Sequence, residues 1–334
     1  MTTRAAISLL LAAALTACSP RSGYISVDGA MLGTTVHVSA RTSLPPGTIY
    51  SHLQRIDSAA KASMSVFDPR SLLSRINAGL TDSLDEHIIY NIKLAERISL
   101  MSGGRYDITV KPLVEAYGFI GSQGMQSPDT DSILRFVGFS KLHIDGSRLI
   151  KDDPRVQIDL NSIAKGYTVD LAARMLDELG IEDYIVEIGG EIRCRGKNSR
   201  AGAWTVGIDT PFDGNDLPGR DLYTRVELSD MALATSGNYR RYRIDENGNK
   251  VAHTIDPVTG RSSVSRLLSA TVAAEECAEA DALCTMFMAL GADQALEFAG
   301  NHPEMAVCFI LDNGSGGYET YISEAMKQLM PDTQ

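Results

Sequence analysis

Cysteine is scarce in this chain and scattered. Its five residues, Cys18, Cys194, Cys277, Cys284 and Cys308 in 334, form no C-x-x-C pair and no dense framework, which excludes a disulfide-stapled scaffold and a cysteine metal site. Basic clusters are missing as well. Lys and Arg number 31 against 42 Asp and Glu, a formal net charge of −11, so no nucleic-acid interface is expected. No apolar run reaches the roughly 20 residues that a membrane-spanning helix needs. The 12 prolines and 29 glycines are dispersed with no low-complexity tract or internal repeat, against a fibrous, disordered or solenoid chain. With 22% charged and 44% hydrophobic residues, what is left is a globular chain long enough for a well-buried core.

The first eighteen residues read as an address. Arg4 precedes an apolar run of 13 residues, Ala5 to Ala17, that ends in Leu15-Thr16-Ala17-Cys18. The segment resembles a bacterial lipoprotein signal peptide. On that reading residues 1–17 are removed, Cys18 carries the lipid (palmitate), residues 18–25 form the tether, and residues 26–334 form the catalytic domain. The protein would then lie in the cell envelope, anchored to a membrane on its periplasmic side. An ordinary secretory signal is the alternative. The other four cysteines fit small buried hydrophobes.

Patterning along the rest predicts a hairpin from Tyr24–Val27 and Thr34–Ser39 around Asp28-Gly29. Helices are expected at 46–62, 85–101 and 129–137, then short strands around 142–158 and a strong helix from Ser162 to Leu179. Strands follow at 183–188, 191–196, 203–209, 222–228, 239–243, 250–255 and 265–273. Helices at 278–290 and 292–300 and strands at 305–311 and 318–322 complete the pattern. Strand-rich stretches interrupted by clustered helices indicate one compact α+β unit of mixed sheets.

Five segments point to chemistry. Asp159-Leu160-Asn161-Ser162-Ile163-Ala164-Lys165-Gly166 reads as a strand (Val156 to Leu160) entering a helix capped by Asn161. A helix start offers free N–H groups to a phosphate, Lys165 adds a charge, and Asp159 suits a sugar hydroxyl, a ring N–H or a metal. A capped helix with a surface lysine fits equally. Asp281 and Thr285 stand four apart on another helix, so their oxygens share a face; hard oxygens suit Mg²⁺, and so does a solvated first turn without metal. His253 ends a strand before a Pro/Gly turn, on one face with Val251 and Ile255, where a general base or a structural histidine fits. Arg105, Tyr106 and Asp107 follow paired glycines at the start of an expected strand, and Gly189-Gly190 breaks another strand where a ligand or a second backbone can approach.

Together and in order, these segments resemble the ApbE family of FAD:protein FMN transferases. The marks are Leu32-Gly33-Thr34, Val66 to Pro69 with Leu73 to Asn77, Tyr106 to Leu113, Asp159 to Gly166, Gly189 to Ile192, Ala234 to Tyr239, His253 to Gly260, and Glu279 to Thr285. The resemblance implies cleavage of FAD at a Mg²⁺ site, transfer of FMN to a threonine of an acceptor protein, and release of AMP. It implies a cleft for FAD between sheets and helices. Residue by residue, Ser162, Asp281 and Thr285 match its metal ligands, and Leu32, Phe67, Arg105, Tyr106, Asp107, Asp159, Lys165 and Ile255 match FAD contacts. His253 matches the base. The partners implied are subunits of Nqr- or Rnf-type membrane redox complexes and extracytoplasmic flavoproteins. Leu32 stands where the family usually has methionine, Phe67 where tyrosine is frequent, and Lys111 where glycine is common. A Mg²⁺-dependent FAD pyrophosphatase is the nearest alternative, and a non-catalytic flavin carrier a more distant one.

Overall fold

The computed structural model describes residues 23–120, 129–212, 219–238, 242–244, 250–263 and 265–331. The signal segment 1–17 and Cys18 lie outside the described residues, as do residues 19–22 of the expected tether and Tyr239. The tether's remaining residues are already sheet: Gly23, Tyr24 and Ile25 pair with Thr42, Arg41 and Ala40.

The strands are β1 (Gly23–Met31), β2 (Thr34–Thr42), β3 (Leu142–Asp145), β4 (Arg148–Lys151), β5 (Tyr184–Ile188), β6 (Glu191–Arg195) and β7 (Trp204–Asp209). They continue with β8 (Leu222–Leu228), β9 (Ala232–Gly237), β10 (Tyr242–Ile244), β11 (Lys250–Ala252), β12 (Leu267–Ala274), β13 (Ala306–Asp312) and β14 (Tyr318–Ile322). The helices are α1 (Pro46–Met64), α2 (Leu72–Asn77), α3 (Glu86–Met101), α4 (Lys111–Ala116), α5 (Thr130–Leu134), α6 (Ala164–Glu178), α7 (Cys277–Asn301) and α8 (Glu324–Lys327).

Eight strands form one sheet in the order β1-β2-β5-β6-β9-β12-β13-β14, and every described pairing is antiparallel. Strand alternation divides β13 between two cores. Val307, Phe309 and Leu311 join a cluster with residues of α3 and α7, whereas Ala306, Cys308 and Ile310 pack with β7, β8 and Met326 of α8. A third cluster seats α1 and α6 on β1, β2 and β5. The α+β reading holds, with the long helices on one face of the large sheet and the β7–β8 pair with the short α8 on the other.

Several local expectations fail for identifiable reasons. The β1–β2 hairpin turns at Leu32-Gly33 (φ 51° and 77°), four residues beyond Asp28-Gly29, because Val27 and Met31 are both core residues and the register follows them. Residues 156–160 are not a strand: Ile158 has its N–H and C=O bonded to the Asn77 side chain at 2.7 and 2.8 Å. Asn161 is not a cap, since α6 starts at Ala164 behind a turn closed by Leu160 O. Ile108–Val110 form a 3₁₀ turn capped by Asp107 rather than a strand. The strand before His253 ends at Ala252, so its alternation does not reach Ile255. Helix α5 is shorter than expected, and α2, α4, α8 and the alanine-rich β9 were not anticipated. The two helices expected at 278–290 and 292–300 are the halves of α7, which meet at the non-helical Gly291.

Candidate active site

The α6–α7 contact organises a first group of polar side chains. Gly166, in the first turn of α6, lies so near α7 that a Cβ on it would come within 2.3 Å of the Cys277 carbonyl oxygen and 2.8 Å of Asp281 Cβ. Its N–H donates to Asp281 Oδ2 at 2.9 Å. One turn along α6, Asp170 accepts the N–H groups of Cys277 and Ala278, each at 2.9 Å, and pairs with Arg193 at 2.6 Å. The start of α7 is therefore capped by a neighbouring helix, while Glu276 at its own N-cap position accepts from the Tyr90 hydroxyl.

Asp281 is 4% exposed, so a solvated helix turn does not describe it. Burial, and then the charge of Glu191, push its carboxyl well above the usual carboxylate range. Glu191 is 3% exposed and holds Lys165 Nζ at 2.5 Å. Burial alone would lower the Lys165 ammonium, but Glu191 and Asp281 outweigh it and raise it. Lys165 is thus a half-buried cation fixed by the buried Glu191 rather than a free surface lysine. The Tyr106 hydroxyl meets Ser162 Oγ at 2.9 Å, and burial drives its proton loss to higher pH. Thr285 Oγ1 stands 3.4 Å from Ser236 Oγ of β9. Asp159, buried, accepts from the Asn161 N–H at 2.8 Å, and its carboxyl is raised by burial.

The second group is the turn after β11. Arg105 forms an ion pair with Asp256, whose carboxylate also accepts the Val258 N–H at 2.9 Å and the Thr259 hydroxyl at 2.8 Å. Tyr117 donates to Gly260 O at 3.1 Å. Ile255 is buried with Leu113, Val114, Ile120 and Val137. Half-buried His253 meets the Phe119 ring edge-to-face at a centroid distance of 6.3 Å. The end of β9 links the groups: Ser236 reaches Thr285, and Asn238 accepts from the Thr254 hydroxyl at 3.1 Å and donates to Ser263 O at 3.2 Å.

Three other expected FAD contacts have partners or surroundings of their own. Asp107 spends its carboxylate on the Thr109 N–H and hydroxyl and the Phe139 N–H, at 2.7, 2.6 and 2.6 Å, so what it does here is cap a turn. Leu32 occupies the β1–β2 turn, its N–H on Asp57 at 2.7 Å, while Met31 beside it is core. Phe67 is 66% exposed. Lys111, unusual in the sequence, is buried and held by Glu115 and by Gln157 at 2.7 Å. Glu191, Asp170, Asp256 and Asn238 were given no role from sequence. For Glu191 a signal existed: an acid directly after a Gly-Gly turn, as the first residue of a strand.

The donors of the first group are one carboxylate and hydroxyls. Among the described residues no three His, Cys, Asp or Glu gather as a metal centre. Such a set fits Mg²⁺, which binds through one or two carboxylates and completes its shell with water and substrate phosphate.

Comparison with known proteins identifies the family. The sequence profile described as "ApbE family" matches residues 32–309. The FAD:protein FMN transferase of Haemophilus influenzae is 35% identical over 342 aligned positions, covering 97% of this chain and 96% of that protein. The solved flavin transferase ApbE from Vibrio cholerae superposes with a TM-score of 0.80 at 30% identity, covering 92% of this chain and 100% of its own. The apo flavinyl transferase ApbE of Pseudomonas stutzeri gives 0.82 at 29% identity, over 92% and 97%.

Proposed function

Because the chain belongs to the ApbE family, we propose that it is an FMN transferase that takes FAD as substrate and a protein as acceptor. The observation that supports the reading is the α6–α7 contact, where the Gly166 N–H beside Lys165 holds buried Asp281, with Thr285 one turn further along α7 tied through Ser236 and Asn238 at the end of β9 to the segment bearing His253. Phosphoryl transfer asks mainly for charge compensation and an aligned nucleophile.

In this reading Ser162, Asp281 and Thr285 hold Mg²⁺, which when bound neutralises the pyrophosphate charge. Lys165, fixed by Glu191, adds a positive charge beside the same phosphates. The acceptor is a threonine hydroxyl. Its oxygen attacks the phosphorus of the FMN half, the P–O–P bond breaks, AMP departs with the bridging oxygen, and His253 takes the hydroxyl proton. Arg105 and Asp256 lock the turn that presents His253. The lipoprotein-like start supports anchoring through Cys18 on the periplasmic side of a membrane, which suits extracytoplasmic acceptors such as Nqr- or Rnf-type subunits.

A mass spectrum tests this. Residues 19–334 are incubated with FAD, Mg²⁺ and an acceptor domain bearing a threonine motif. An acceptor heavier by one FMN less water, unmodified when EDTA is present, is the expected result. Free FMN and AMP beside an unmodified acceptor would replace the transferase by a pyrophosphatase, and intact FAD would leave only a flavin carrier.

A further inference from the structure

The residues around His253 include two that no part of the proposed chemistry uses. Phe119 lies three residues past the end of α4, where the chain is closed by a pair of backbone bonds. Its own N–H donates to Val114 O at 3.0 Å, and the N–H of Gly118 (φ 75°) donates to Glu115 O at 2.8 Å. This double closure of a helix end fixes the direction in which the next side chain leaves. The Phe119 ring then packs against the apolar cluster of Leu113, Val114, Val137 and Ile255 and meets the His253 imidazole at an interplanar angle of 69°. The Arg243 guanidinium stands over the same ring, 5.6 Å from its centroid. Arg243 belongs to β10 and pairs with Val251, two residues before His253. The hairpin that delivers the histidine thus also delivers the cation that rests on the histidine's aromatic neighbour.

We propose that Phe119 and Arg243 are positioning residues, which hold the His253 imidazole in its working orientation from a rigid helix end. The proposal rests on the reading of His253 as the base. The backbone on both sides of His253 is tied down, Ala252 O accepting the Ser262 hydroxyl and Thr254 O the Ser263 N–H, but backbone bonds do not set the side-chain torsions of the imidazole, and proton transfer requires it within hydrogen-bond reach of the acceptor hydroxyl. An edge-to-face contact restrains ring orientation, and the guanidinium over the ring restrains the phenyl group in turn. Neither residue has to touch FAD or the acceptor for this.

The test compares Phe119→Leu, Phe119→Tyr and Arg243→Ala with the unaltered chain. It measures kcat, KM for FAD and acceptor, melting temperature, and the ring-proton NMR shifts of His253. Phe119→Leu keeps apolar volume but removes the ring. It is expected to lower kcat about 10- to 100-fold, leave both KM values within twofold, and move the His253 ring protons towards their unshielded positions. Phe119→Tyr should restore kcat, and Arg243→Ala should lower it roughly 2- to 5-fold. Unchanged kcat and unchanged His253 shifts in Phe119→Leu overturn the proposal. A loss of kcat that tracks a raised KM for FAD overturns it too, since Phe119 would then be a binding residue. If the unaltered chain transfers no FMN at all, the functional reading fails, and the His253 shifts alone decide whether the contact orders the ring.

Discussion

Leu32 is held at φ 51°, a left-handed conformation that costs a branched L-residue about 1–2 kcal/mol. A two-residue hairpin with both φ values positive normally takes Asn-Gly. Leu32→Gly should therefore raise stability by about 1 kcal/mol in urea unfolding while weakening FAD, if the leucine is kept for the flavin; a variant that gains stability and binds FAD unchanged would remove Leu32 from the site. His253→Ala should cut transfer by about 10²–10⁴-fold with FAD affinity, read by flavin fluorescence, retained. Lost FAD binding in that variant would make the histidine structural. Asp281→Ala should abolish both transfer and its response to Mg²⁺, and full activity would refute the metal assignment. At this scale the sequence showed residue types in their order but not their environments. Lys165 is the clear case: its neighbours in sequence suggest a capped surface helix, while the carboxylate that fixes it, Glu191, arrives from a strand about two dozen positions later.

Helix α7 depends on a cap it does not contain. Asp170, fully buried, satisfies its first N–H groups and pairs with Arg193. Removing one partner of a buried ion pair leaves the other charge uncompensated, at about 3–5 kcal/mol. Asp170→Ala should lower stability by that order in urea unfolding, whereas a loss under 1 kcal/mol would show that Glu276 can cap α7 unaided. Gly166→Ala drives a methyl group into backbone. Overpacking of this kind costs about 1–3 kcal/mol, and because the methyl points at Asp281, transfer should fall more than stability explains. The elements that were legible had strong periodicity and clean ends, such as α3 behind Asp85 and the halves of α7 around Gly291. Those that were not take their shape from distant partners. Residues 156–160 have strand composition but bond to a side chain on α2. Strand β9, Ala-rich with little β propensity, exists because β6 and β12 flank it, and a residue pattern that does not reveal β9 cannot show how the Asp281 and His253 segments are linked.

On the scale of the whole molecule, the four described cysteines are all buried and free. Burial raises the Cys194 thiol to about 11 and the Cys308 thiol to about 12, so both are neutral at pH 8 and unreactive as nucleophiles. Residues 19–334 should show no thiol reacting with a disulfide reagent while native and four after unfolding; a fast native thiol would mean that one of these cores opens. A last consequence concerns β1, which begins at Gly23 and delivers the chain to Leu32. Nine extended residues cover about 27 Å, and the links from Cys18 to Gly23 add at most about 17 Å. If Cys18 carries the lipid, as proposed above, that strand is a boom of fixed length, and the Leu32 turn lies no farther than roughly 45 Å from the bilayer surface. A threonine carried beyond that height would stay unmodified however well its motif matched, and lengthening the segment between Cys18 and Gly23 should bring it back within range.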